Sequence, residues 1–162
     1  MKCIVDTNIL IDLYHGDILV RLFDLSLDIF APDMVLDDLT EPDRRTLQQQ
    51  GLKSVSLTLE QLLEAAQMHG DEPRLSLGDC TALIAARDEN AMLLTGDKRL
   101  RDLAISLSVV THGVLWVLDE FESAGELSGR ELADSLRKML AEGARLPAAN
   151  VPNVWNDGIN IK

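Results

Sequence analysis

Aromatic side chains supply only 4% of this 162-residue chain. A core of any size must therefore be built from Leu, Ile, Val and Ala. There are two cysteines, Cys3 and Cys80. No C-x-x-C pair and no H-x-x-x-H occurs, so the usual structural zinc spacings are absent. Unpaired thiols fit a reducing compartment. The histidines, His15, His69 and His112, follow no ligand spacing. Basic residues are also in short supply, 15 against 27 acids, for a net charge of −12. That argues against a protein that coats nucleic acid through its charge. It leaves room for an enzyme that cuts nucleic acid at one acidic, metal-loaded cleft. No apolar run approaches the ~20 residues that span a bilayer. The N-terminus meets Asp6 before any signal-peptide core can form, so a cytoplasmic protein without a membrane partner is expected. Phosphate-cradling G-x-x-x-x-G-K-[ST] and G-x-G-x-x-G loops are missing, as is a G-x-S-x-G elbow. An aspartyl-phosphate phosphotransferase needs a second acid two residues after its nucleophile. Asp6-Thr7-Asn8 has an amide there.

What is present is ordinary for a globular domain: 46% hydrophobic and 26% charged residues. The length suits one domain, or one with a short appendage. Short apolar runs alternate with helical periodicity. The run at 3–5 reads as a buried strand ending at Asp6, followed by a helix over 9–14 that Gly16 breaks. Ile18, Leu19, Leu22 and Phe23 predict a second helix beginning at Asp17. A strand at 28–31 and a helix opened by Pro32 come next. A polar helix over 41–50 ends at Gly51, a strand covers 53–57, and Thr58 caps a helix that Gly70 stops. A helix begins near Asp79, a strand runs over 91–95, and Asp97 leads into a helix carrying Leu100, Leu103 and Ala104. Val109 and Val110 predict the last strand. Such alternation is the pattern of an α/β domain with a mostly parallel sheet. After Gly113 the pattern changes to two amphipathic helices, over 114–124 and 128–143, and a tail from Pro147.

Acids mark the strand ends, which is where parallel α/β sheets hold their ligands. Asp6 ends the first strand, and Asp97 lies two residues past the strand at 92–95. Asp79 opens a helix, and Asp38 follows Val35 and Leu36. Carboxylates brought close together raise one another's pKa unless a cation neutralises them. An oxygen-only ligand set selects a hard cation, Mg²⁺ or Mn²⁺. Each acid also has a plainer role open to it. Asp79 suits an N-cap, Asp97 a turn, and Asp38 a wet helix face beside Asp37 and Glu41. Asp6 is the hardest to explain that way, because a carboxylate closing an apolar strand is costly to bury without a partner.

These segments resemble the PIN-domain nucleases. The stretch Ile4-Val5-Asp6-Thr7-Asn8-Ile9-Leu10 is similar to that family's opening motif. Leu77-Gly78-Asp79-Cys80-Thr81-Ala82-Leu83-Ile84-Ala85-Ala86 is similar to its central acid and following helix. Leu93-Leu94-Thr95-Gly96-Asp97-Lys98-Arg99-Leu100 is similar to its last acid. The resemblance covers residues 2–112. It implies a three-layer α/β/α PIN-like core over 1–112, with a helical extension and tail over 113–162 packed on it. It also implies a metal-dependent endoribonuclease in which Asp6, Asp79 and Asp97 bind Mg²⁺ or Mn²⁺ and water attacks an RNA phosphodiester. Asp38 is the implied fourth catalytic acid, although the family usually has a glutamate there; Asp37 and Glu41 are alternatives. Many bacterial members are VapC-like toxins held inactive by an antitoxin, which implies such a partner here.

Around these acids, Thr7, Asn8 and Thr95 are placed to orient ligands or phosphate, or simply to cap helices. Lys98, Arg99 and Arg101 cluster past Asp97, where they can contact flanking phosphates or form a solvated face. Leu115, Trp116 and Leu118 make an apolar helix that must be covered by the core, a homodimer interface or an antitoxin. Trp116 and Trp155 read first as packing residues. The rival to the nuclease is a catalytically weak PIN-like protein that works by binding a regulatory partner.

Overall fold

The computed structural model describes residues 1–146; the Pro147 tail and Trp155 lie outside the described residues. Five strands form one sheet: β1 (Lys2–Val5), β2 (Asp28–Pro32), β3 (Lys53–Val55), β4 (Met92–Leu94) and β5 (Thr111–His112). Their order is β3-β2-β1-β4-β5, and every pairing is parallel. The register puts Val5 opposite Leu94 and Ile4 opposite both Phe30 and Leu93. Cys3, Ile4, Val5, Leu93 and Leu94 are fully buried, as expected of strands covered on both faces.

Eight α-helices are described: α1 (Thr7–His15), α2 (Asp33–Asp37), α3 (Arg44–Gln50), α4 (Leu59–Asp71), α5 (Leu77–Asp88), α6 (Lys98–Ser106), α7 (Val114–Ser123) and α8 (Gly129–Ala141). The crossover from β1 through α1 to β2 runs one way along the sheet, and that from β4 through α6 to β5 runs the other. Right-handed crossovers therefore place α1 and α6 on opposite faces. Helix α5 packs on β1, β2 and β4 and against α2, α4 and α6. Helices α7 and α8 pack against α1 and each other. The result is the three-layer α/β/α arrangement.

Several boundaries differ from the sequence expectation. Residues expected to form a helix from Asp17 instead make a 3₁₀ turn, Leu19–Asp24. Asp17 adopts a left-handed φ of 57°, which a helix interior excludes. Its carboxylate pairs with Lys138 on α8 at 2.7 Å. The polar helix starts late, at Arg44, because Asp43 caps it by accepting from the Thr46 N–H at 3.0 Å. Gly70 does not end α4, which continues to Asp71. A glycine in the last turn costs only about 1 kcal/mol, whereas Pro73 pushes Glu72 out of the helical region. The strand expected at 53–57 is only Lys53–Val55. The last strand is Thr111–His112 and not Val109 with Val110, because the Val109 N–H still closes the end of α6 on the Ala104 carbonyl at 2.9 Å.

The helices after Gly113 share the core of the sheet domain. Val114, Val117, Leu118 and Phe121 of α7 and Leu132, Leu136 and Met139 of α8 belong to one continuous apolar cluster with β1 and α1. Leu136→Ala should therefore cost about 2–5 kcal/mol of unfolding free energy. It should do so within a single urea transition followed by circular dichroism. Two separated transitions would mean that α7 and α8 fold apart from the sheet.

Candidate active site

Strands β1 and β4 lie side by side while their crossovers leave in opposite directions. The crevice beyond their carboxyl ends is thus the switch point of the sheet. Asp6 follows β1 directly, and Thr95, Gly96 and Asp97 follow β4. The Asp6 N–H still donates to the Leu94 carbonyl at 3.1 Å, which holds the two strand ends together. Asp6 caps α1, its Oδ1 accepting from the Ile9 N–H at 2.9 Å. Its Oδ2 accepts the Thr95 hydroxyl at 2.5 Å. That hydroxyl oxygen accepts the Asp97 N–H at 3.0 Å. Asp97 in turn caps α6, its Oδ1 accepting from the Leu100 N–H at 2.8 Å. One chain of hydrogen bonds therefore links two acids distant in sequence.

Asp79 stands in the first turn of α5 and is not its cap; the cap is Ser76. Ser76 Oγ accepts the Asp79 N–H at 3.0 Å, and Asp79 Oδ2 accepts the Ser76 N–H at 2.9 Å, a reciprocal capping box. Asp79 is near enough to Asp6 for its charge to disfavour ionisation there. Asp38, exposed at the end of α2, reaches the same helix terminus. A Cβ added to Gly78 would lie 3.1 Å from Asp38 Oδ2, so the bare glycine makes room for that carboxylate. Of the alternatives, Asp37 pairs with Arg44 at 2.9 Å and Glu41 lies beside the Tyr14 hydroxyl.

Asp6 is 0% exposed. Burial pushes its pKa up to about 7, against the lowering effect of the Thr95 and Ile9 hydrogen bonds, and the charges of Asp79 and Asp12 add to the rise. Asp12 was not among the sequence candidates. Its signal is the helical period: four residues after Asn8, it shares that face of α1. Asn8, Asp12, Gly96, Asp97 and Arg145 line a hollow of about 280 Å³. Thr7 is half-buried in the first turn of α1. A second hollow of about 370 Å³ shares Asp12, Gly96 and Arg145 with the first and continues past Arg101, His112 and Trp116. The three basic residues after Asp97 diverge. Lys98, with its side chain 82% exposed, pairs with Asp102 at 2.8 Å. Arg99 is exposed, and Arg101 alone of the three lines the groove.

The donors at this edge are oxygen-only, and one of them is a buried acid whose carboxylate makes no ion pair among the described residues. That chemistry fits a hard divalent cation. Among the described residues, however, no three His, Cys, Asp or Glu side chains stand together as a ready-made ion cage. Cys3 and Cys80 take no part; both are buried, which pushes each thiol up to about 11.

The Asp6 shift sets a pH dependence. Its folded pKa, about 7, lies above the ordinary aspartate value of 3.8. The native state keeps a proton that the unfolded chain releases, so the stability linked to Asp6 is complete below 3.8 and is lost as pH rises through about 7. With chelator present, Asp6→Asn abolishes this titration while keeping an acceptor for Ile9. The melting temperature of the variant should gain on wild type steadily between about pH 5 and about pH 8. A constant difference across that range would contradict the assignment.

Comparison with known proteins agrees with the parallel α/β fold. The family model DUF3368, described as a PIN domain, matches residues 2–156. No curated protein matches the chain. Among solved structures, a PilT N-terminus domain protein from the hyperthermophilic archaeon Sulfolobus solfataricus is similar at 13% identity and TM-score 0.52. The match covers 79% of this chain and 97% of that one. VapBC2 from Rickettsia felis, bound to a DNA fragment from its promoter, is similar at 15% identity and TM-score 0.47. It covers 70% of this chain and 98% of that one. With a family match along nearly its whole length and a parallel α/β/α fold shared with the archaeal protein, the chain belongs to the PIN domain family.

Proposed function

We propose that this chain is a metal-dependent endoribonuclease of the toxin type, restrained by an antitoxin. The observation that carries the reading is Asp6, a fully buried acid at the switch point, tied through Thr95 to Asp97 and repelled by Asp79. A carboxylate held there against its own desolvation needs a function to account for it. Asp6, Asp79 and Asp97 would hold Mg²⁺ or Mn²⁺. When bound, such an ion polarises the scissile phosphate and lowers the pKa of its water.

The remaining work falls to the chain. Thr95 fixes the rotamer of Asp6 by donating to Oδ2, and its oxygen orients the Asp97 backbone. The capping box fixes Asp79 through its Oδ2, leaving Oδ1 as the oxygen that would reach an ion. Asp38, over Gly78, is the group free to accept a proton. Asn8 and Arg101 line the groove along which the strand would lie. Exposed Leu59 and Leu63 on α4 offer an apolar face for an antitoxin or a second copy. RNA as substrate, the antitoxin and a cytoplasmic site of action rest on family membership and the motif resemblance. The lack of a ready-made ion cage, together with the short arm of Asp38, favours the second reading: a weak or inactive PIN protein that acts by binding its partner.

Thermal melting with and without Mn²⁺, beside an RNA cleavage assay, separates the two. Metal that binds the folded acids and not the dispersed ones raises the melting temperature by mass action. Asp79→Asn should keep or raise metal-free stability, shrink the Mn²⁺ shift and reduce cleavage by at least about 100-fold. A wild type that shows no Mn²⁺ shift and cuts no RNA would establish the second reading.

A further inference from the structure

The larger hollow beside the acids is walled in part by two groups that the proposed hydrolysis does not use, His112 and Trp116. His112 ends β5, and Trp116 stands in the first turn of α7. Their rings stack with centroids 4.6 Å apart and an interplanar angle of 17°. Both side chains are half-buried, so the pair still meets solvent. Burial lowers the pKa of His112, and a neutral imidazole offers one donor and one acceptor. Arg101 lines the same hollow, its Nη2 3.6 Å from where a Cβ on Gly113, next to His112, would stand. Arg145 lines both hollows.

Among the described arginines without an ion pair, Arg101 and Arg145 are the two that line this hollow. The chain carries a net charge of −12, and Arg21, Arg44 and Arg87 all pair with carboxylates. Neither Arg101 nor Arg145 makes an ion pair among the described residues. Two guanidinium groups without an ion pair among the described residues therefore share one hollow with an aromatic pair, and that hollow adjoins the one lined by Asp97. Single-stranded nucleic acid alternates phosphates with flat π faces, and its binding sites alternate cations with aromatics.

We propose that this hollow, between α6, β5 and α7, is a nucleobase subsite. A base of single-stranded RNA next to the cut packs on the His112–Trp116 pair, while Arg101 and Arg145 take the phosphates on either side. This rests on the nuclease reading and deepens it, giving Trp116 a binding role beyond packing. At about 370 Å³ the hollow is of small-ligand size. It also gives the enzyme a means of preferring unpaired RNA, since a base inside a duplex has no free face.

The chain has two tryptophans, Trp116 and Trp155, so in a Trp155→Phe background the fluorescence reports Trp116 alone. The probe is a short 2′-O-methyl oligoribonucleotide, which cannot be cut through its 2′ oxygen, added in EDTA. An abasic chain of the same length serves as control. The base-bearing chain should quench Trp116 saturably and the abasic chain should not. Trp116→Leu should weaken binding by about 5- to 150-fold, the worth of one stacked base, and Trp116→Phe should restore most of it. Arg101→Gln should lower the salt slope of binding by about one, and this variant carries the test if Trp116→Leu fails to fold. Equal binding of both chains with Trp116 silent would overturn the subsite, even if Mn²⁺-dependent cleavage is intact. Saturable quenching in a protein that cuts no RNA would sustain the subsite and remove the nuclease reading instead.

Discussion

A carboxylate sealed at the end of the central strand is the constraint around which this molecule is arranged. Asp6 has no access to water, and burying a charged group without compensation is among the most costly things a fold can do. Every element near it supplies part of the compensation. Helix α1 begins at Asp6 and gives it the Ile9 N–H, together with the positive end of the helix dipole. Strand β4 gives it the Thr95 hydroxyl. The parallel pairing of β1 with β4 sets the distance at which both can act. Even so, burial outweighs the hydrogen bonds and the pKa rises. Packing that would suit a neutral side chain is thus imposed on an acid, a mark of a site kept for chemistry.

Helix termini do much of the positioning. Asp6, Ser76 and Asp97 cap three helices that begin at the same sheet edge, and Asp79 completes the box at one of them. Capping is often read as a structural role that competes with function. Here the two coincide, because the same hydrogen bonds that cap the helices fix the rotamers of the acids. The remaining polar surface follows a different logic. Most described cations are tied to nearby acids in exposed pairs, which contribute little to stability. Arg101 and Arg145 make no ion pair among the described residues, and both line the hollow that holds the stacked His112–Trp116 pair.

Much of the fold was legible because parallel strands and amphipathic helices leave strong periodic signals. The runs ending at Asp6 and at Leu94 were plain, and so was the helix after Asp97. Misreadings arose where a boundary depends on backbone conformation more than on hydrophobicity. Asp17 takes a left-handed φ that no periodicity reveals. Helix α4 passes through Gly70 because Pro73, and not the glycine, sets its end. At the site, Asp6, Thr95 and Asp97 could be nominated from strand ends alone. Asp12 could not, since its meaning depends on which face of α1 turns toward Gly96. Trp116 reads as a packing residue and does pack against the core, but its stacking on His112 at the groove depends on β5 and α7 meeting there.

The sequence by itself determined the fold class, the order of strands and helices, and the identity of the acids at strand ends, since these depend on local period and on which residues can cap a helix. Only the tertiary structure decided which acids meet. Asp38 lies beside Gly78, whereas Asp37 is engaged by Arg44 and Glu41 lies by the Tyr14 hydroxyl. The split among Lys98, Arg99 and Arg101 follows from the rotation of α6 against β5. Both depend on contacts between segments far apart along the chain, and such contacts are set by packing geometry that no local pattern encodes.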